Sequence, residues 1–270
     1  RVKRELEGGW FQWVGSVADG FLTISNTISE QARAMLMSEP QRQQPWFDHF
    51  YLGSELDLAD STQPAAPDIV ACFNGGIPVY LAVSTIEPRK NQGYLLDAFE
   101  LLWRGDRNVG LCIVGRIGWK CESFMRRVQN HPELGRRLFI FNDASDTDLE
   151  FCYTHAKALL CPSIAEGFGL PIVEAMQRGL PVMASDIAVF REIGRDFIAY
   201  FDLENPAQLA ELVESFENSG QFPAPRGIDE WSWINWRGAA AMLIEKLLLR
   251  LRAASNPTIS AAAVTRARSI

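Results

Sequence analysis

Two carboxylates with seven residues between them frame the run Glu166-Gly-Phe-Gly-Leu-Pro-Ile-Val-Glu174. Gly167 and Gly169 present backbone N–H groups where a helix would begin, and Pro171 suits the first turn of that helix. Amides at a helix N-terminus attract anions. A carboxylate is a poor neighbour for a bare phosphate, yet it accepts hydrogen bonds readily from vicinal hydroxyls. The run therefore suits a ligand that carries both phosphate and sugar or ribose hydroxyls. A purely structural reading stands beside it: Glu166 caps the helix and Glu174 is a surface acid near its positive end.

Two further stretches carry matching groups. Ser84-Thr-Ile-Glu-Pro-Arg-Lys-Asn-Gln-Gly93 sets Arg89 beside Lys90, and adjacent cations at a strand-to-helix turn suit a diphosphate. The same stretch reads equally well as a solvated loop. Gly115-Arg-Ile-Gly-Trp-Lys120 puts glycines, and Arg116, where backbone could approach a ligand. Its spacing is not G-x-G-x-x-G and no acidic residue closes the next strand, so a plain tight turn also accounts for it.

Each stretch follows a short apolar run of the kind that forms a buried strand. These runs are Val79–Val83, Leu111–Val114, Leu138–Phe141, Ala158–Cys161, Pro181–Ala184 and Phe197–Tyr200. Helical spacing lies between them: Leu95, Ala98, Phe99 and Leu102 share one face, Asp146 or Thr147 can cap a second helix, and Pro206 opens another. Single helices between strands demand crossovers, so the expected fold is α/β, a doubly wound parallel sheet over roughly 76–220. Ligands of such sheets bind beyond the carboxyl ends of the strands, where all three stretches fall.

The flanks differ. Residues 1–70 hold a strand at Gly20–Ser25, a helix at about 27–36, a Gln-rich passage and a linker at Asp60–Asp68; they read as a partial domain. Residues 71–225 make the α/β domain, 226–252 a Trp-rich segment with an apolar helix, and 253–270 a tail expected to be disordered. The net charge of -7 argues against a nucleic-acid partner. Five scattered cysteines, none in a C-x-x-C pair, read as reduced thiols of a cytoplasmic protein. No apolar run reaches the roughly 18 residues that cross a bilayer.

Taken together, these stretches resemble the retaining glycosyltransferases of the GT-B fold, group 1 or family 4 type. Glu166 to Glu174 resembles their E-x(7)-E motif, with Pro162-Ser before it and Ala-Met-Gln-Arg-Gly-Leu-Pro-Val after it. Thr85-Ile-Glu-Pro-Arg-Lys-Asn91 is similar to their donor-phosphate loop, and Gly115-Arg-Ile-Gly-Trp119 to their glycine turn. Val17–Asn26 and Tyr51–Ser54 look like the end of the family's N-terminal domain.

The resemblance implies a nucleotide-sugar donor, with GDP-mannose the first candidate, and a glycan or lipid-linked acceptor in polysaccharide or lipopolysaccharide synthesis. It implies that Lys90 contacts the donor diphosphate and that the amides of Phe168, Gly169 and Leu170 cradle the distal phosphate. Glu166 would hold hydroxyls of the transferred sugar, Glu174 those of the ribose, and the main chain at Phe141 and Asn142 would read the base. Arg89 and Arg116 are candidates for a second cation, because Thr85 stands where the family often has Arg. No metal is required if these donors suffice. None of His49, His131 and His155 lies in a family motif; the acceptor domain and its histidine are expected outside this chain, with any peripheral membrane contact. Three other readings stay open: a nucleotide-sugar-binding fragment without transfer, a GT-B sugar-nucleotide epimerase and, less favoured, a nicotinamide dehydrogenase.

Overall fold

The computed structural model describes residues 2–37, 45–54 and 64–255. They belong to two compact units, one formed by residues up to Gly53 together with those from Ile234, the other by Ser54–Trp233. The first unit begins with α1 (Val2–Val17), β1 (Gly20–Thr23), α2 (Asn26–Met37) and β2 (Trp46–His49). β1 and β2 pair in parallel, a partnership that sequence spacing had not suggested. Phe21 and Phe47 stack 5.3 Å apart across it, above Ala32 and Leu36 of α2.

The second unit runs α3 (Pro67–Phe73), β3 (Val79–Val83), α4 (Gln92–Arg104), β4 (Gly110–Val114), α5 (Glu122–Gln129), β5 (Leu138–Phe141), α6 (Asp146–His155), β6 (Ala158–Cys161), α7 (Leu170–Gln177), β7 (Val182–Ser185), α8 (Ala188–Gly194), β8 (Ala199–Phe201) and α9 (Pro206–Ser219). The chain then returns to the first unit as α10 (Trp236–Ser255). There Lys246 and Arg250 bond the carboxylate of Asp48 at 2.7 and 3.1 Å, pinning α10 to β2.

The six strands form one sheet, ordered β5-β4-β3-β6-β7-β8, with every pair parallel. Strands buried on both faces need no alternation, which is why Leu111-Cys-Ile-Val114 and Ala158-Leu-Leu-Cys161 are apolar throughout. The side of α4 carrying Leu95, Ala98, Phe99 and Leu102 is buried on one sheet face beside α9, as the spacing predicts. The order runs outward from β3 in one direction and from β6 in the other. β3 and β6 are hydrogen-bonded neighbours, so the switch in strand order brings the loops after them together.

Several local expectations change. The cap of α6 is Ser145, not Asp146 or Thr147: its Oγ accepts the Asp148 N–H while the Asp148 carboxylate takes the Ser145 N–H in return. Asp148 also accepts the Ala66 N–H at 2.7 Å and so fixes the start of α3, which begins inside the stretch read as linker. The last strand starts two residues later than predicted, because Arg195–Phe197 form a 3-10 turn and β7 pairs with Ala199–Phe201. The Gln-rich passage at 41–44, residues 55–63 and those after 255 lie outside the described residues.

Candidate nucleotide-sugar site

The loop after β3 folds back as a 3-10 turn over Pro88–Lys90, and Asn91 then adopts a left-handed conformation (φ 54°) before α4. Gln92, almost fully buried, braces the loop from below, donating to Ser84 Oγ at 3.0 Å and to the Thr85 carbonyl at 2.9 Å. Lys90 thereby reaches the loop after β6, where its Nζ lies 2.5 Å from Glu166 Oε1. The Arg89 carbonyl accepts the Ile164 N–H, which stitches the two loops along their backbones as well.

Glu166 is the centre of the cluster, its side chain only 9% exposed. Oε1 also accepts from Ser163 Oγ at 2.8 Å, and Oε2 accepts from Arg89 at 2.7 Å. Burial pushes its carboxyl upward, but the bonds and charges of Lys90, Ser163 and Arg89 outweigh that and hold it below the ordinary carboxylate value. Ser163 is anchored in turn, because buried Ser185 on β7 donates to its carbonyl at 2.6 Å. Glu166 is therefore an ionised acceptor, with a cation on each of its oxygens.

Gly169 occupies the N-cap of α7 with φ 107°, a conformation that favours glycine, and a Cβ there would meet the Phe190 ring at 2.9 Å. Leu170 and Pro171 open α7, so the first-turn amides lie at the end of the loop that holds Glu166. Gly167 precedes buried Phe168, whose ring packs edge-on to Trp233 at 5.8 Å. Glu174 lies one turn into α7. Its Oε2 accepts the hydroxyl of buried Tyr153 at 2.8 Å, and its carbonyl accepts from Arg178, whose guanidinium covers the Tyr153 ring. Tyr153, on α6, escapes a reading of motifs; Arg178 falls inside the run that follows Glu174, and only its role escapes.

The loop after β4 is the third wall. Gly115 donates to the Phe141 carbonyl, and a Cβ on it would stand 1.9 Å from the Ser84 oxygen, so only glycine fits. Arg116 is exposed, and its carbonyl takes the Ile86 N–H. Beyond β5, Asn142 Oδ1 is buried with no hydrogen-bond partner, an acceptor in want of a donor. With Phe139, Asp68 and Cys72, Phe141 also lines a cleft of about 700 Å³ along the β5 edge.

The structure thus unites Arg89, Lys90, Glu166 and the start of α7, places Glu174 on that helix, and sets Gly115 against the same loop. Within the second unit His155 stacks on Phe151 of α6 and His131 packs on Trp103, both outside this cluster; His49 ends β2 in the first unit. Among the described residues no group of three His, Cys, Asp or Glu side chains is placed to hold a metal, and no helix is long and apolar enough to cross a membrane.

Known proteins share both sequence and fold with this chain. The serotype-specific mannosyltransferase WbdA of Escherichia coli is 32% identical over 244 residues, covering 88% of this chain and 30% of that protein. O-antigen chain mannosyltransferase B of Escherichia coli is 30% identical over 168 residues, 61% of this chain and 44% of that one. The chain thus spans less than half the length of either relative. Among solved structures, a sucrose-phosphate synthase from Thermosynechococcus elongatus superposes with a TM-score of 0.70 at 21% identity, over 93% of this chain and 62% of that one. Anabaena HepE in complex with UDP-glucose gives 0.61 at 18% identity, over 85% and 60%. At such identities these two likenesses speak for the fold alone. The sequence pattern of the glycosyl transferases group 1 matches residues 72–227, and the chain belongs to that family.

Proposed function

We propose that this chain is the donor-binding half of a retaining glycosyltransferase that moves a sugar, mannose first among candidates, from a nucleoside diphosphate to a glycan or lipid-linked acceptor of a surface polysaccharide. The observation that carries the reading is the union of Lys90 and Glu166 at the switch point of the sheet, beside the amino end of α7. A sugar diphosphate has the complementary chemistry: anionic oxygens for the cation and helix end, hydroxyls for the carboxylate. Mannose is supported by the names of the Escherichia coli relatives, and GDP-mannose is the donor to test first.

In this reading Lys90 and the amides of Phe168, Gly169 and Leu170 stabilise the charge that grows on the leaving diphosphate, without calling on a metal. Glu166 orients the sugar through its hydroxyls, and Glu174 holds the ribose. Asn142 Oδ1, buried and unpartnered, supports a base at the end of β5. Glu166 is engaged by two cations and a hydroxyl, which suits an orienting acceptor better than a nucleophile. Attack on the face from which the diphosphate departs then gives retention.

Calorimetric titration of the chain with GDP-mannose, GDP, UDP-glucose and UDP tests the donor. Transfer to a lipid-linked mannosyl acceptor, with NMR of the anomeric proton, tests the reaction. Tighter binding of GDP-mannose than of GDP, with a retained anomer, is expected. An inverted product sinks the mechanism, and failure to bind any of the four compounds sinks the reading. Binding without transfer would mark the chain as a nucleotide-sugar-binding fragment.

A further inference from the structure

The Arg89 guanidinium bonds two carboxylates and a carbonyl, whereas among the described residues Lys90 Nζ bonds Glu166 alone. Nη1 bonds Glu166 Oε2 at 2.7 Å and the Ala165 carbonyl at 2.8 Å, while Nη2 bonds Glu87 Oε1 at 2.8 Å. Both carboxylate oxygens of Glu87 are bonded in turn. Its side chain is 15% exposed, and its second oxygen accepts the indole N–H of Trp119 at 2.9 Å. A chain of charge-assisted bonds therefore runs Trp119–Glu87–Arg89–Glu166 across the loops that follow β4, β3 and β6.

The backbone explains why these residues meet. Ile86 and Ile117 form a parallel bridge, Ile86 N–H donates to the Arg116 carbonyl and Gly118 N–H to the Ile86 carbonyl. A Cβ on Gly118 would stand 2.8 Å from that last oxygen, so glycine allows the approach. The zipper sets Glu87 and Trp119 side by side at its end. The cluster also balances in charge: Arg89 and Lys90 against Glu87 and Glu166.

We propose that Glu87 is a positioning residue for sugar recognition, and this rests on the donor-site reading above. Glu87 holds Arg89 on Glu166, so the Glu166 carboxylate keeps one orientation toward the sugar hydroxyls while Lys90 alone serves the diphosphate. Trp119, 51% exposed, is tied to the far oxygen of Glu87 by its indole nitrogen, and Lys120 Nζ stands over its ring at 5.2 Å. The division assigns Arg89 and Glu87 to selection of the sugar, not to grip on the phosphate.

The two roles differ in sign. Removing the Glu87 charge frees Arg89 and leaves one fewer negative charge near the diphosphate. Glu87→Gln should leave GDP affinity unchanged or tighter, while the preference for GDP-mannose over GDP falls about tenfold. UDP and UDP-glucose replace that pair if wild type binds them instead. Arg89→Ala should lose the same preference, and the double variant should lose no more than either alone. Glu87→Ala and thermal unfolding of each variant accompany the series. Equal weakening of sugar-nucleotide and free nucleotide in Glu87→Gln, or additive losses in the double variant, would overturn the proposal while leaving the donor reading intact. A wild-type chain that binds none of the four compounds overturns both.

Discussion

Lys90 and Glu166 are 2.5 Å apart, joined across two loops 76 residues distant in sequence, with side chains 16% and 9% exposed. Their pairing helps keep the Glu166 carboxylate ionised in a site that excludes most water. Each is then ready for a different part of one ligand.

Truncating the cation separates their roles. Lys90→Ala should weaken binding of a nucleoside diphosphate by about 2 kcal/mol, the worth of a bond between charged groups, and leave the nucleoside nearly unaffected. It should also lower stability, because Glu166 keeps its burial and loses its strongest partner. Titration of diphosphate and nucleoside side by side decides; equal losses would remove Lys90 from the phosphate site.

The acid limb of stability follows from the depressed Glu166 carboxyl. Its folded value lies below the ordinary 4.5, so its stabilisation is complete above that value and disappears as pH falls through the folded one. Sugar-nucleotide binding by wild type should therefore show no Glu166 titration from about pH 5.5 to 8. Lys90→Met removes the largest opposing influence and leaves burial to raise the carboxyl. That variant should lose sugar-nucleotide affinity in mild acid, measured by calorimetry at about pH 5 and pH 8. A flat profile in Lys90→Met would show that Arg89 and Ser163 suffice.

Glu174 depends on a residue far from any motif. Tyr153→Phe deletes the hydroxyl that fixes Oε2 and should cost about 1 kcal/mol of stability. Nucleotide affinity should fall severalfold, and Glu174→Ala should add little once the tyrosine hydroxyl is gone. Binding unchanged in Tyr153→Phe would mean that Glu174 needs no orientation from α6.

Much of the site was legible in the sequence, and the reason is the topology. A parallel sheet puts useful loops after strands, and apolar runs such as Val79–Val83 and Ala158–Cys161 locate those strands closely. Adjacent cations and a carboxylate–glycine run then name the chemistry. What escaped were partnerships: Tyr153 and Ser185 lie outside every quoted run, while Arg178, Ser163 and Gln92 lie inside them with nothing to mark their roles. Such groups carry no local signature. Arg89 shows the other limit, since spacing places a guanidinium by the site but cannot tell whether it meets phosphate or carboxylate.

Gly115 offers the sharpest steric test. Its φ of 156° lies where L side chains rarely sit, and lack of space adds to that conformational strain. A methyl group would stand 1.9 Å from the Ser84 oxygen and 2.6 Å from its carbon, and both atoms are backbone. Gly115→Ala must therefore part the loops after β3 and β4, at a cost of about 3 kcal/mol, the upper range for single substitutions. Because Gly115 also donates to Phe141, the shift should reach the end of β5. Denaturant unfolding and nucleotide titration should both record it, with affinity falling more than tenfold in protein that is still folded. Loss of stability with full affinity would show that the two loops bind the donor independently.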